Sequence, residues 1–179
     1  MKRKKVIIFI KGLCGSGKTT LSELLSWTLP AKVFRIGDYR NRKTLENDSW
    51  ENMVADIEAY SKAHTYTIVE TTGVNYRESL FLRLANSSEI LKFALNASLE
   101  VLDKRIDQKP LLKRGGRLGS LFNYFPFKEY KNKKDFNRKM QKQYKRLLKS
   151  KDIIKINVKR SKVAVYTKVL VNILAKDIL

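Results

Sequence analysis

The stretch Gly12-Leu13-Cys14-Gly15-Ser16-Gly17-Lys18-Thr19 matches the pattern G-x-x-x-x-G-K-[ST]. Just before it, Val6-Ile7-Ile8-Phe9-Ile10 is an unbroken apolar run rich in β-branched residues, the mark of a strand buried on both faces. Just after it, Leu21, Leu24, Leu25 and Thr28 recur at helical spacing until Pro30 stops the pattern. Strand, glycine-rich loop and helix in that order build a phosphate-binding unit. Glycines let the backbone curl so that N–H groups converge on phosphate oxygens at the positive end of the helix. The pattern assigns Gly12, Cys14, Gly15, Ser16, Gly17, Lys18, Thr19 and Thr20 to nucleoside triphosphate binding. Lys18 is expected to reach the β- and γ-phosphates, and the Thr19 hydroxyl to ligate Mg²⁺. Cys14 reads as a small residue filling the loop rather than as a nucleophile.

Outward from this unit, strands alternate with helices. Strands are expected over residues 5–11, 32–36, 65–71, 89–95 and 153–158, and helices over 18–29, 45–63, 76–85, 98–106, 135–150 and 161–179. Trp27 and Trp50 fall at helical core spacing and are expected to pack, and His64 is expected to cap a helix end. Residues 108–134 hold Pro110, Gly115-Gly116, Gly119 and Pro126 with weak periodicity, so they read as a long connection. Alternating βα units imply an α/β fold: a five-stranded parallel sheet sandwiched by helices, in one domain over residues 1–179.

The chain has 179 residues, 43% hydrophobic, enough for one ordinary core. With 8 Gly, 3 Pro and short bounded apolar runs, it is neither collagen, coiled coil nor a disordered chain. A single cysteine excludes a disulfide framework. No segment approaches the roughly 20 apolar residues that cross a bilayer. The apolar run after Lys2-Arg3-Lys4-Lys5 stops at Lys11, shorter than a signal peptide's core. The expectation is a soluble cytoplasmic protein with no membrane partner. Net charge is +21, unevenly spread: residues 109–162 hold 19 Lys and Arg against 3 Asp and Glu, a net of +16. Such a half favours a phosphate-rich partner, with solvated helix faces as the plainer reading.

The loop and the order of elements resemble the small P-loop kinases: nucleotide, shikimate, gluconate, adenylylsulfate and polynucleotide kinases. Phe34-Arg35-Ile36-Gly37-Asp38-Tyr39-Arg40 is similar to the segment after strand two in polynucleotide kinase and in 6-phosphofructo-2-kinase. Thr67-Ile68-Val69-Glu70-Thr71-Thr72-Gly73-Val74-Asn75 resembles their strand-three signature ending D-x-T-N. The stretch from Asn96 to Ile106 is similar to a strand-four region with E-x-x-x-x-R, here Glu100 and Arg105.

The resemblance implies an ATP-dependent kinase using Mg²⁺, with a lid at about residues 108–134 that closes over the phosphates. Arg114 and Arg117, with Lys113, would be lid cations stabilising the transferring phosphoryl group. In the polynucleotide and adenylylsulfate kinases the carboxylate base stands three residues before the arginine. Here that position is Gly37, and Asp38 stands two before Arg40. The base is therefore Asp38, with the loop displaced by one residue, or Glu70 at the end of strand three. Arg40 and Arg42 would clamp a substrate phosphate by bidentate hydrogen bonds. Five aromatics within residues 121–130 suit either base stacking on a single strand or docking of the lid. The acceptor expected is a phosphate-bearing hydroxyl compound: best a polynucleotide 5′-hydroxyl or DNA-borne hydroxyl, alternatively a nucleotide or sugar-phosphate-type metabolite. A regulatory NTPase that binds nucleic acid is the reading outside the kinases.

Overall fold

β1 (Val6–Lys11) is buried along its whole length because both of its faces meet other layers. Its side chains alternate, as a pleated strand requires. Ile8 and Ile10 meet Leu21 and Leu25 of α1 (Lys18–Thr28) and Val165, Val169 and Ile173 of α6 (Lys162–Asp177). Ile7 and Phe9 meet Trp50, Met53, Val54 and Ile57 of α3 (Glu46–Ala63), and Phe81 and Leu84 of a 3₁₀ segment, Tyr76–Asn86. The computed structural model describes residues 5–40, 45–86, 88–108 and 130–177.

Among the described residues the sheet has five parallel strands in the order β2-β3-β1-β4-β5. The others are β2 (Lys32–Arg35), β3 (Tyr66–Thr71), β4 (Glu89–Asn96) and β5 (Ile153–Asn157). A third cluster lies under β4 and β5. There Leu102 of α4 (Leu99–Asp107) and Phe136 and Tyr144 of α5 (Lys133–Leu147) close over Leu13, Ala94 and Ile153. The chain leaves β1 toward β2 on one side and reaches β4 and β5 on the other. The strand order therefore reverses beside β1, which opens a crevice at the carboxyl ends of the strands, where α/β proteins bind ligands. No helix among the described residues is long and apolar enough to cross a membrane.

Three local features differ from the expectation. β2 stops at Arg35, and Ile36–Tyr39 forms a single helical turn, α2. The segment Tyr76–Asn86 is 3₁₀ rather than α. At three residues per turn, Glu78, Phe81 and Leu84 share one face, which carries Glu78 to a buried lysine and the other two into the core. Trp27 is 79% exposed, not a packing residue, whereas Trp50 is 2% exposed. Trp27 lies two residues past Leu25, about 200° round the helix at 3.6 residues per turn, so it faces away from the layer that buries Leu21 and Leu25.

The two tryptophans separate by mutation. Trp50→Ala should cost about 3–5 kcal/mol of unfolding free energy, because it empties a core site against Phe81, 5.9 Å away between ring centroids. Trp27→Ala should stay within about 0.5 kcal/mol. Urea denaturation of both variants checks the pair, and a large loss for Trp27→Ala would contradict the packing described.

Candidate nucleotide and acceptor site

The loop between β1 and α1 is shaped by its glycines. Gly15 (φ +82°) and Gly17 (φ +93°) both take the left-handed conformation that side chains resist. A Cβ on Gly15 would also stand 2.7 Å from the Leu102 carbonyl oxygen. Gly17 caps α1 without a side-chain bond. The amides of the first turn are thus left with no partner inside the helix, the condition for anion binding at a helix N-terminus. Lys18 Nζ donates to the Leu13 carbonyl at 3.2 Å, folding back over the loop. Ser16 Oγ is buried and has no hydrogen-bond partner among the described residues.

The register of the sheet sets what lies beside the loop. Glu70 stands opposite Ile10 on β1 and opposite Arg35 on β2. Its carboxylate joins two elements: Oε1 accepts from Thr19 Oγ1 at 2.9 Å, and Oε2 accepts from Arg35 Nε at 2.9 Å. Arg35 reaches on to Glu23 at 3.3 Å. Because the Thr19 hydroxyl spends its proton on Glu70, its lone pairs remain for a cation. A hydroxyl and a carboxylate so placed are hard oxygen donors of the kind Mg²⁺ takes, alongside phosphate oxygens.

Two clefts flank the loop and share Lys18 and Thr19. One, of about 290 Å³, is lined by Arg35, Asp38, Glu70, Thr71 and Thr72 at the β2–β3 side. Asp38 stands exposed in it, carried by the turn α2, and has no hydrogen-bond partner among the described residues. Partial burial pushes the Asp38 carboxyl above the usual range; Arg35 pulls it back and Glu70 adds to the rise. The other cleft, of about 420 Å³, lies between α1, β4 and α6, with apolar walls from Leu24, Leu95, Val158 and Val165. Arg105, Arg160 and Lys162 line it too, and Arg105 is fixed by donating to the Val158 carbonyl at 2.7 Å.

Other predicted residues are placed differently. Arg40, expected to clamp a substrate phosphate, is not among the residues lining the 290 Å³ cleft. It forks onto Glu46 instead, with Nε to Oε2 at 2.8 Å and a second, shorter bond from Nη2 to Oε1. Burial works against the Glu46 charge, but bonds from Arg40 and Trp50 outweigh it and hold that carboxyl below the usual range. His64 stacks on Tyr60 at the end of α3, where its Nδ1 lies 3.0 Å from the Tyr60 carbonyl oxygen. Arg42, Lys113, Arg114, Arg117 and all the aromatics of 121–130 except Tyr130 lie outside the described residues. Lys133 and Lys134, counted with the lid in the sequence, begin α5 behind an Asn132 cap.

Several site contacts escaped the sequence. Lys11 and Glu78 form a buried ion pair at 2.6 Å, their side chains 10% and 11% exposed. Glu78 also accepts from Thr71 Oγ1 at 2.6 Å and from the Gly73 amide at 2.7 Å, so it holds the loop after β3. Asn137 of α5 hydrogen-bonds both backbone groups of Cys14. The Lys11–Glu78 and Asn137–Cys14 contacts have no local signature, since they join residues 67 and 123 apart in the chain. For the larger cleft the signal was the cationic sequence Val158-Lys159-Arg160 at the end of β5.

The whole fold is similar to those of solved kinase structures. A gluconokinase from Sinorhizobium meliloti superposes over 98% of this chain and 95% of its own, with a TM-score of 0.61 at 14% identity. This chain shares that protein's fold. A sugar kinase from a Janibacter species gives a TM-score of 0.60 at 14% identity, covering 94% of this chain and 93% of its own. A chain of the Pnkp1/Rnl/Hen1 RNA repair complex gives 0.59 at 17% identity, covering 84% of this chain but 48% of its own. No family model matches the sequence, and no curated protein matches it.

The loop geometry can be tested without any ligand. Gly15→Ala adds a left-handed penalty of about 1–2 kcal/mol to the contact with the Leu102 carbonyl. It should lower the thermal midpoint clearly, whereas Gly37→Ala, where a Cβ meets nothing within 4 Å and φ is not positive, should change it little. Equal midpoints for the two variants would contradict this loop conformation.

Proposed function

We propose that the protein is an ATP-dependent kinase that transfers the γ-phosphoryl group to a hydroxyl of a phosphate-bearing acceptor. The observation that carries this reading is the meeting of two clefts at Lys18 and Thr19. A donor nucleotide lying in the larger cleft would put its base between Leu24, Val158 and Val165 and its phosphates on the amides at the head of α1. Lys18 would swing from the Leu13 carbonyl onto the β- and γ-phosphates. Thr19 and, behind it, Glu70 would hold Mg²⁺, which neutralises phosphate charge when bound. In the smaller cleft Asp38 would take the proton of the acceptor hydroxyl as that oxygen attacks the γ-phosphorus and the bond to the β,γ-bridging oxygen breaks. Glu70 is a poorer candidate for that proton, because both of its oxygens are already engaged.

A polynucleotide 5′-hydroxyl is the acceptor best supported by charge. α5 alone carries Lys133, Lys134, Arg138, Lys139, Lys142, Lys145 and Arg146 against one acid, Asp135. The smaller cleft would accept only the terminal nucleotide of such a chain, with the basic surface holding the rest. A sugar-type acceptor is the second reading, favoured by the near-complete superposition on the gluconokinase. Transfer of label from ATP to 5′-hydroxyl oligonucleotides, nucleoside monophosphates and sugar phosphates decides between them.

Lys18→Ala should abolish transfer. Asp38→Asn should depress turnover at least tenfold with ATP affinity within a few fold, and Glu70→Gln should also weaken the dependence on Mg²⁺. A base must be ionised, and the Asp38 pKa is raised, so activity should fall on acidification above the ordinary carboxylate range. That limb should vanish in Asp38→Asn. Pre-steady-state rates across pH check the set, and a neutral Asp38→Asn variant would remove Asp38 from the mechanism.

Polynucleotide binding should weaken as salt rises, with a slope of about −0.7 per neutralised phosphate. Lys142, Lys145 and Lys149 are exposed on the last turns of α5 and just beyond it. Changing all three to Gln should flatten the slope by up to about 2 while leaving ATP binding unchanged. A salt-independent wild type with fast transfer to a sugar phosphate would assign the charge to ordinary solvated surface.

A further inference from the structure

The phosphate loop carries one contact that phosphate chemistry does not require. Asn137 sits within the second turn of α5 and is 0% exposed. Both of its amide atoms engage the backbone of one residue: Oδ1 accepts from the Cys14 N–H, and Nδ2 donates to the Cys14 carbonyl, each at 2.9 Å. Donor and acceptor cannot be exchanged, because a flipped amide would set NH₂ against N–H and oxygen against oxygen. The pairing works like a single rung of a β-ladder laid across the loop.

The helix that presents Asn137 is itself firmly seated. Phe136 is in the core beneath it, and Tyr144 Oη, two turns further along the same face, donates to the Leu95 carbonyl at 2.9 Å and lies 3.3 Å from the Lys11 carbonyl. Close by, α4 approaches Gly15 so nearly that a Cβ there would stand 2.7 Å from the Leu102 carbonyl oxygen. The corner of the loop thus lies against both α5 and α4 before any ligand arrives. Cys14 spends its N–H on Asn137, and the amides of Lys18, Thr19 and Thr20 at the head of α1 remain for phosphate.

We propose that Asn137 is a positioning residue for nucleotide binding: by pairing with both backbone groups of Cys14 it holds the phosphate loop in its binding shape in the absence of nucleotide. The proposal rests on the nucleotide-binding reading above. A loop already shaped avoids the ordering cost that a floppy one meets on binding, so removing the clamp raises the nucleotide dissociation constant. Only an amide fits the role. A carboxylate at the same place turns a donor into an acceptor facing the Cys14 carbonyl, and an apolar residue leaves two buried backbone groups unpaired.

The test has a wild-type arm and a mutant arm. In the wild type without nucleotide, the Cys14 amide should exchange its hydrogen slowly for a glycine-rich loop, and adding ATPγS with Mg²⁺ should leave it protected while newly protecting Lys18 to Thr20. Exchange of the free protein's Cys14 amide at the rate of an unstructured peptide would overturn the proposal. In the mutant arm, Asn137→Asp and Asn137→Leu should bind a fluorescent ATP analogue at least tenfold more weakly. Met140→Ala, a partly buried variant on the same helix, should lose stability but keep affinity within about twofold. Folded Asn137 variants with wild-type affinity would also overturn it. A wild type that binds no ATP analogue, yet protects Cys14, would instead overturn the nucleotide reading and the role assigned to the clamp.

Discussion

A loop whose N–H groups at the head of a helix are left unpaired cannot be held together by its own hydrogen bonds. Its internal backbone bond, from the Ser16 amide to the Leu13 carbonyl at 3.2 Å, leaves the amides at the head of α1 without partners. Support has to come from outside. The Gly12 amide leans on the Thr71 carbonyl of β3, the Cys14 backbone on Asn137 of α5, and Gly15 on Leu102 of α4. Three elements distant in sequence therefore converge on eight residues. The parallel sheet that places β3 and β4 on either side of β1 is what brings them there.

The same sheet distributes charge around the loop. Arg35 and Glu70 meet because β2 and β3 pair in that register, and Glu70 meets Thr19 because β3 lies beside β1. Lys11 and Glu78 are drawn out of water behind the loop, where neither ion would be tolerated alone. Glu78 completes its hydrogen bonding with Thr71 and the Gly73 amide, so this costly pair also shapes the rim of the smaller cleft. Arg40, by contrast, is paired with Glu46 on α3, which leaves Lys18 and Arg35 as the described cations lining that cleft.

The sequence was legible where physics acts within a few residues. β1 could be read because a strand covered on both faces has to be apolar throughout. The loop could be read because left-handed backbone at Gly15 and Gly17 admits little else. Glu70 stood out as a charge at the end of an apolar strand. Trp27 stands three residues past Leu24, a core-like spacing, yet only the face of α1 that carries Leu21 and Leu25 is covered; the 3₁₀ segment reads as α because a period of three is close to 3.6 over so short a span. Asn137 gave no signal, since a single amide in a lysine-rich helix looks like any other surface residue until the helix is docked.

By itself the sequence determined the order of strands and most helices, the glycine-rich loop between β1 and α1 and the basic character of the second half. These follow from periodicity, glycine spacing and composition, each a local property of the chain. Only the tertiary structure decided that the Glu70 oxygens are occupied while Asp38 faces the cleft, that Arg40 is paired away from it, and that Lys11, Glu78 and Asn137 belong to the loop's support. Each of those depends on which side chains meet across 6 to 123 residues of chain. Strand register and helix docking fix such meetings, and neither is written in any single segment.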